Sequence, residues 1–238
     1  MTAANSRVLL LIGISLLAAS CGTNPASSGP ETRRAYELKG FAAVNATSAF
    51  ETTIHRGSEF RVEIVAGERE FDKLDIRVEG NTLHLARKSM TLTGQRARAE
   101  ITMPELKGLK SSGASMIRAE GFSSESPLDI ESSGASKIEA DLDAGSTTVK
   151  ASGASNVKLT GRGTRLTVDL SGASNADLGS YKAEDTRVEV SGASSATVWT
   201  KGRLDAEASG ASRVTYLGSP TLGNLHDSGG SKIQQGEN

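Results

Sequence analysis

The chain has 238 residues with 27 basic and 28 acidic side chains, so it lacks the basic balance that nucleic-acid binding needs. Aromatics make up 4% and glycines number 26, which favours strands and tight turns around small side chains over long helices. At this length one domain is the default, with two small ones as the alternative.

The first residues are not read as part of the fold. MTAANSR carries one positive side chain, Arg7, and is followed by the twelve-residue run VLLLIGISLLAA. That run is too short to span a bilayer but has the length of a signal-peptide core. Ala18, Ala19 and Ser20 then lead to Cys21, the only cysteine, which has no partner for an internal disulfide. The segment resembles a bacterial lipoprotein lipobox, with Ala18 where Leu is commoner and Leu17 one place earlier. An ordinary secretory signal ending near a cysteine is the alternative. The resemblance implies a signal peptide over 1–20 and a lipidated Cys21 that anchors the chain to a membrane. Because Gly22 rather than Asp follows, it also implies the outer membrane of a Gram-negative cell. Several acyl chains anchor far more firmly than one. Residues 21–34 read as a flexible polar tether.

Residues 35–105 are strand-like. FAAVNATSAFETTIHRGSEFRVEIVAG alternates over two runs, with a turn at Arg56-Gly57-Ser58. GEREFDK fits a short helical turn, and LDIRVEGNTLHLARK reads as a hairpin bending at Gly80-Asn81. This part is expected to supply the first coils and a cap, since an open parallel stack exposes edges that invite pairing with other chains.

From residue 106 onward the chain repeats. SGAS occurs six times and SGGS closes the series, placing glycines at Gly113, Gly134, Gly153, Gly172, Gly192, Gly210 and Gly229. The gaps are 21, 19, 19, 20, 18 and 19 residues, a near-fixed period that marks a solenoid. Four residues before each glycine stand Leu109, Ile130, Val149, Val168, Val188, Ala206 and Leu225; four after stand Ile117, Ile138, Val157, Ala176, Ala196, Val214 and Ile233. Each unit therefore reads as strand, small-residue corner, strand, then a Gly-containing turn such as LTGRGT or WTKGR. Leucine-rich repeats lack their leucine pattern here, and propeller blades need about 40 residues each. A left-handed hexapeptide helix would show a steady period and an aliphatic residue at every sixth position. What remains is an all-β, single-stranded parallel β-helix with about 19–20 residues per coil, right-handed because parallel crossovers overwhelmingly are.

Charge gives an independent test of register. Three residues before each glycine the column reads Lys110, Glu131, Lys150, Asp169, Glu189, Glu207, His226; five after, Arg118, Glu139, Lys158, Asp177, Thr197, Thr215. Both columns alternate in sign over four rungs, so opposite charges face each other about 4.8 Å apart and a slip by one rung pairs like charges. The repeated serines and glycines are structural in this reading: Gly supplies backbone freedom, small neighbours permit close approach, and hydroxyls bond along the stack.

GFAAV, VEIVAGEREFDKLDIRVEGNTLHLAR, ITMPELKGLKSSGAS and the serial SGAS units resemble the bacterial head GIN domain family of auto-transporter adhesins, over residues 36–235. The resemblance implies a right-handed β-helix, exposure outside the cytoplasm and an adhesion role, and carries no catalytic residues. The family's repeats usually read SGSGDI. Here SGASKI, SGASNV, SGASNA and SGASRV put Lys, Asn or Arg where Asp is usual.

Little else carries chemistry. His55, His84 and His226 have no partner at metal-ligand spacing, and no nucleophile elbow or phosphate-cradling loop occurs. The one irregularity is the run Asp169, Glu189, Glu207, where alternation stops. A solvated acidic stripe is the simplest reading; weak Ca²⁺ binding and glycosidic chemistry by paired carboxylates are the alternatives. Arg187 is placed to neutralise part of this stripe, with Asp205 competing for it, and Trp199 and Tyr216 are candidate sugar-stacking platforms. The sequence therefore predicts a non-enzymatic, lipid-anchored envelope protein for adhesion or surface binding, its partner a surface polysaccharide or another envelope protein. The runners-up are a polysaccharide-acting enzyme, which needs an aromatic groove beside those carboxylates, and a purely structural component, which an uncovered last rung near Ile233 would favour.

Overall fold

A computed structural model of the chain describes residues 29–88 and 96–237. The signal-peptide segment, Cys21 and residues up to 28 lie outside them. The described residues are all-β and form a solenoid of about six turns.

The cap and first rungs comprise β1 (Glu31–Tyr36), β2 (Ala43–Ala46), β3 (Glu51–Arg56), β4 (Arg61–Gly67), β5 (Leu74–Glu79), β6 (Thr82–Arg87) and β7 (Arg98–Met103). A 3-10 helix, Glu68–Lys73, occupies the expected helical turn, and β5 and β6 form the expected hairpin. Strand β2 lies between β6 and β8 (Gly108–Ser111), and β3 between β7 and β9 (Met116–Ser123), all in parallel register. Stacking order thus departs from chain order: the rung of β6 and β7 lies outside the earlier rung of β2 and β3. Its outer edge is closed by antiparallel neighbours, β5 on β6 and β4 on β7, with β1 added to β4.

Strand β1 corrects the tether, which was expected to run to residue 34 but gives way to strand at Glu31. The polar residues that look like linker are paired across the sheet. Arg33 donates to Glu63 and Glu100 on β4 and β7, Arg98 pairs with Glu31, and the Arg34 guanidinium sits 4.1 Å over the Phe71 ring.

The repeating coils follow as β10 (Leu128–Ser132), β11 (Lys137–Ala151), β12 (Asn156–Leu170), β13 (Asn175–Val190), β14 (Ser195–Thr200), β15 (Arg203–Ala208), β16 (Arg213–Leu217), β17 (Thr221–Asp227) and β18 (Lys232–Gln235). Every apolar pair predicted from the glycines is a register partner, from Leu109 on Ile130 to Ala206 on Leu225, and from Ile117 on Ile138 to Val214 on Ile233. These inward columns form one continuous core. Both charge columns also stand in register. Lys110 meets Glu131 at 2.7 Å, Arg118 meets Glu139 at 2.9 Å, and Lys158 meets Asp177 at 3.7 Å.

The corners explain the repeated motif. From the second SGAS onward the Ala donates its N–H to the Gly carbonyl one rung back, as in Ala154 to Gly134 and Ala173 to Gly153, both 2.7 Å. The final Ser is buried and bonds backward too: Ser155 Oγ donates to Ser132 O at 3.1 Å and, within its own corner, to Ser152 O at 2.9 Å. At the far end, β17 and β18 pair only inward, with β15 and β16, among the described residues. Leu222 and Leu225, which end two inward columns, are 49% and 39% exposed.

Candidate ligand-binding groove

Between successive corners each coil makes a second turn, and these turns stack into a groove of about 1070 Å³. Register places Ser123, Asp143, Arg162, Lys182 and Trp199 in a single column, one residue from each of five coils. At about 4.8 Å per rung the column runs roughly 19 Å along the axis. A second column, Ala144, Gly163, Ala183 and Thr200, lies beside it and contributes almost no side-chain bulk. The floor is flat for a packing reason. A Cβ on Gly145 would run into the Glu125 carbonyl, and one on Gly163 into the hydroxyl of Tyr181. Tyr181 is fully buried beneath, its hydroxyl 2.8 Å from Thr147 Oγ1, and desolvation raises its pKa.

The groove's charges cancel: Glu125, Asp143 and Glu184 against Arg162, Lys182 and Lys201. Asp143 Oδ2 accepts from Arg162 Nε at 3.1 Å, and Glu184 and Lys201 stand 4.0 Å apart. The Lys182 ammonium lies 4.4 Å over the Trp199 ring. These charged heads are well exposed, with the Arg162 side chain at 78% and Lys201 at 72%.

The residues singled out from sequence lie elsewhere, apart from Trp199. Asp169, Glu189 and Glu207 do stack on adjacent rungs, followed by His226. They do not converge: among the described residues no three His, Cys, Asp or Glu side chains form a group able to hold a metal ion. Glu189 is engaged by Arg187, whose Nη2 donates to Oε1 at 2.6 Å. Asp205 sits in register with Arg187 yet does not take it, because Arg203 on its own strand grips both its oxygens at 2.8 Å. Those bonds, with the Asn224 N–H, lower the Asp205 pKa to about 2. Tyr216 lies outside the groove lining: half-buried, it is in register with Val198 and packs against the core. His55 pairs with Glu120 at 2.8 Å, and His84 stands beside Asn45. The aromatic groove that the enzyme reading required beside Asp169, Glu189 and Glu207 lies instead over a different column.

Sequence reasoning missed Asp143, Arg162, Lys182 and Lys201 as a unit. Their turns, LDAGST, LTGRGT, YKAED and WTKGR, share no motif. Counting nine residues on from Gly134, Gly153 and Gly192 would have reached Asp143, Arg162 and Lys201, but a one-residue insertion shifts Lys182 to ten.

Fold and groove together define a parallel β-solenoid with a lateral groove lined by balanced charges. The family described as "Putative auto-transporter adhesin, head GIN domain" matches residues 40–220, and the chain belongs to that family. It is similar to a "putative adhesin" from Bacteroides fragilis, with 23% identity, 87% of this chain and 97% of that one covered, and a TM-score of 0.81. It is also similar to a "putative lipid binding protein" from Parabacteroides distasonis, with 14% identity, 89% and 98% coverage, and a TM-score of 0.73. A "putative adhesin" from Parabacteroides merdae gives 13% identity, 89% and 98% coverage, and a TM-score of 0.67. At these identities the likeness is one of fold. No curated protein sequence matches the chain.

Proposed function

We propose that this protein is a non-enzymatic, lipid-anchored module of the bacterial envelope that binds an external surface through the side of its solenoid. The observation that carries the reading is the lateral groove, which presents exposed charges and the chain's only tryptophan on a rigid, register-locked frame. Family membership supports an adhesion-type role. The run before Cys21 supports an anchor, and Gly22 supports the outer membrane.

Cells producing the wild type are expected to incorporate labelled palmitate into the protein and to adhere to immobilised envelope or extracellular polysaccharides. The Cys21→Ala variant is expected to lose both. Adhesion unaffected by this substitution, or release of new chain ends from the polysaccharide, would sink the reading.

The open outer edges of β17 and β18 favour a second reading, a structural component whose last rung pairs with another chain. Concentration-dependent sedimentation of the wild type, abolished by Leu225→Lys, would support it; a monomer at all concentrations would exclude self-pairing.

A further inference from the structure

We infer that the groove over β11 to β14 binds a neutral glycan chain, with Trp199 as its stacking platform. The groove's polar chemistry selects the ligand class. Sugar hydroxyls both donate and accept, and the column offers Ser123, the Asp143 carboxylate and the Arg162 guanidinium in succession. A polyanion would find no net charge to attract it, because Glu125, Asp143 and Glu184 offset Arg162, Lys182 and Lys201. An acyl chain would find one aromatic ring, Trp199, among six charged side chains. The C–H face of a pyranose matches the indole, while its rim of hydroxyls matches the charges on either side.

The floor supports the same assignment. Gly145, Gly163, Ala144 and Ala183 leave a shallow bed in which a chain can lie along the solenoid axis. Lys182 holds the place of the sugar on the ring. Lys182 is exposed, its ammonium makes one long hydrogen bond, 3.4 Å to the Gly179 carbonyl, and a cation over an exposed aromatic face is held weakly, so an incoming sugar displaces it. Lys182 therefore competes with the ligand at the ring, which no polyanion site would predict.

The inference deepens the adhesion reading and rests on it for its biological meaning, yet the two fail separately. Cell adhesion with no response in the purified protein removes the groove as the site. Groove binding without cell adhesion removes the adhesion role.

Because Trp199 is the only tryptophan, its emission reports the groove alone. The purified protein is titrated with cellohexaose, maltohexaose, mannohexaose and chitohexaose, with hexagalacturonate and anionic phospholipid vesicles as contrasting probes. At least one neutral oligosaccharide is expected to give a saturable emission shift. Trp199→Ala, followed by calorimetry, is expected to weaken binding at least tenfold. Lys182→Ala is expected to bind at least as tightly as wild type. Should Trp199→Ala fail to fold, the wild-type titration and Lys182→Ala still decide. No saturable response to any neutral oligosaccharide, a response to hexagalacturonate or vesicles alone, or loss of binding in Lys182→Ala would each overturn the assignment.

Discussion

Gly153 shows at the residue scale why the corners cannot vary. Its φ is +76°, and a Cβ there would stand 2.7 Å from the Gly134 carbonyl oxygen, the acceptor for the Ala154 N–H. A side chain at this position meets two penalties, the left-handed backbone and the rung beneath. Gly40 has a similar φ, +79°, with nothing within 4 Å. Gly153→Ala is therefore expected to cost about 2–4 kcal/mol in denaturant unfolding, and Gly40→Ala only about 1 kcal/mol. Equal costs would show that backbone conformation alone, and not stacking, selects glycine. One corner departs from the rule. Ser48 and Ala49 take φ of 58° and 65°, and Ser48 lies directly against Gly113. The front rung thus turns at NATSAF without any glycine, which is why its corner was not legible in the sequence.

The cap is the element whose chemistry differs most from the coils. Glu70, in the 3-10 helix, is almost wholly buried and accepts from Lys73 at 2.8 Å and from Arg87 on β6. The Lys73 bond, and then the Arg87 bond, hold its carboxyl below the usual glutamate range. A depressed pKa in the folded state means the stabilisation is complete above the unfolded value, about 4.3, and is lost as pH falls through the lower folded value. Glu70→Gln is expected to cost about 3 kcal/mol at neutral pH, because Arg87 loses a buried partner. It should also flatten the fall of Tm below pH 4.3. Parallel Tm profiles for variant and wild type would show that the pair does not link cap stability to protonation. The helical turn and hairpin here were legible from GEREFDK and from Gly80-Asn81. The pairing of β1 on β4 was not, since its cause is opposite charge 30 and 67 residues away at Glu63 and Glu100.

Across the whole molecule the two ends are unequal. The rung of β6 and β7 is closed by β5 and by β4 with β1, whereas β17 and β18 keep free outer edges among the described residues. A stack of this kind is stabilised rung by rung through nearest neighbours, so an end with one neighbour opens first. Native-state hydrogen exchange is expected to be fastest in β17 and β18, slowest in β11 to β13, and slow again in β6 and β7. Exchange led by β6 and β7 would refute the capping argument. The same stiffness keeps the groove's column in line, because its five residues belong to strands locked above and below.

From residue 106 onward the sequence by itself determined the period, the corners, the inward columns and the register. Each of these is written locally and repeated, and stacking an identical unit allows little else. Only the tertiary structure decided the order of the front rungs, the docking of β1 and the assembly of the groove. Those depend on which side chains meet across coils of unequal length, such as Lys182 over Trp199, and no repeat in the chain encodes such meetings.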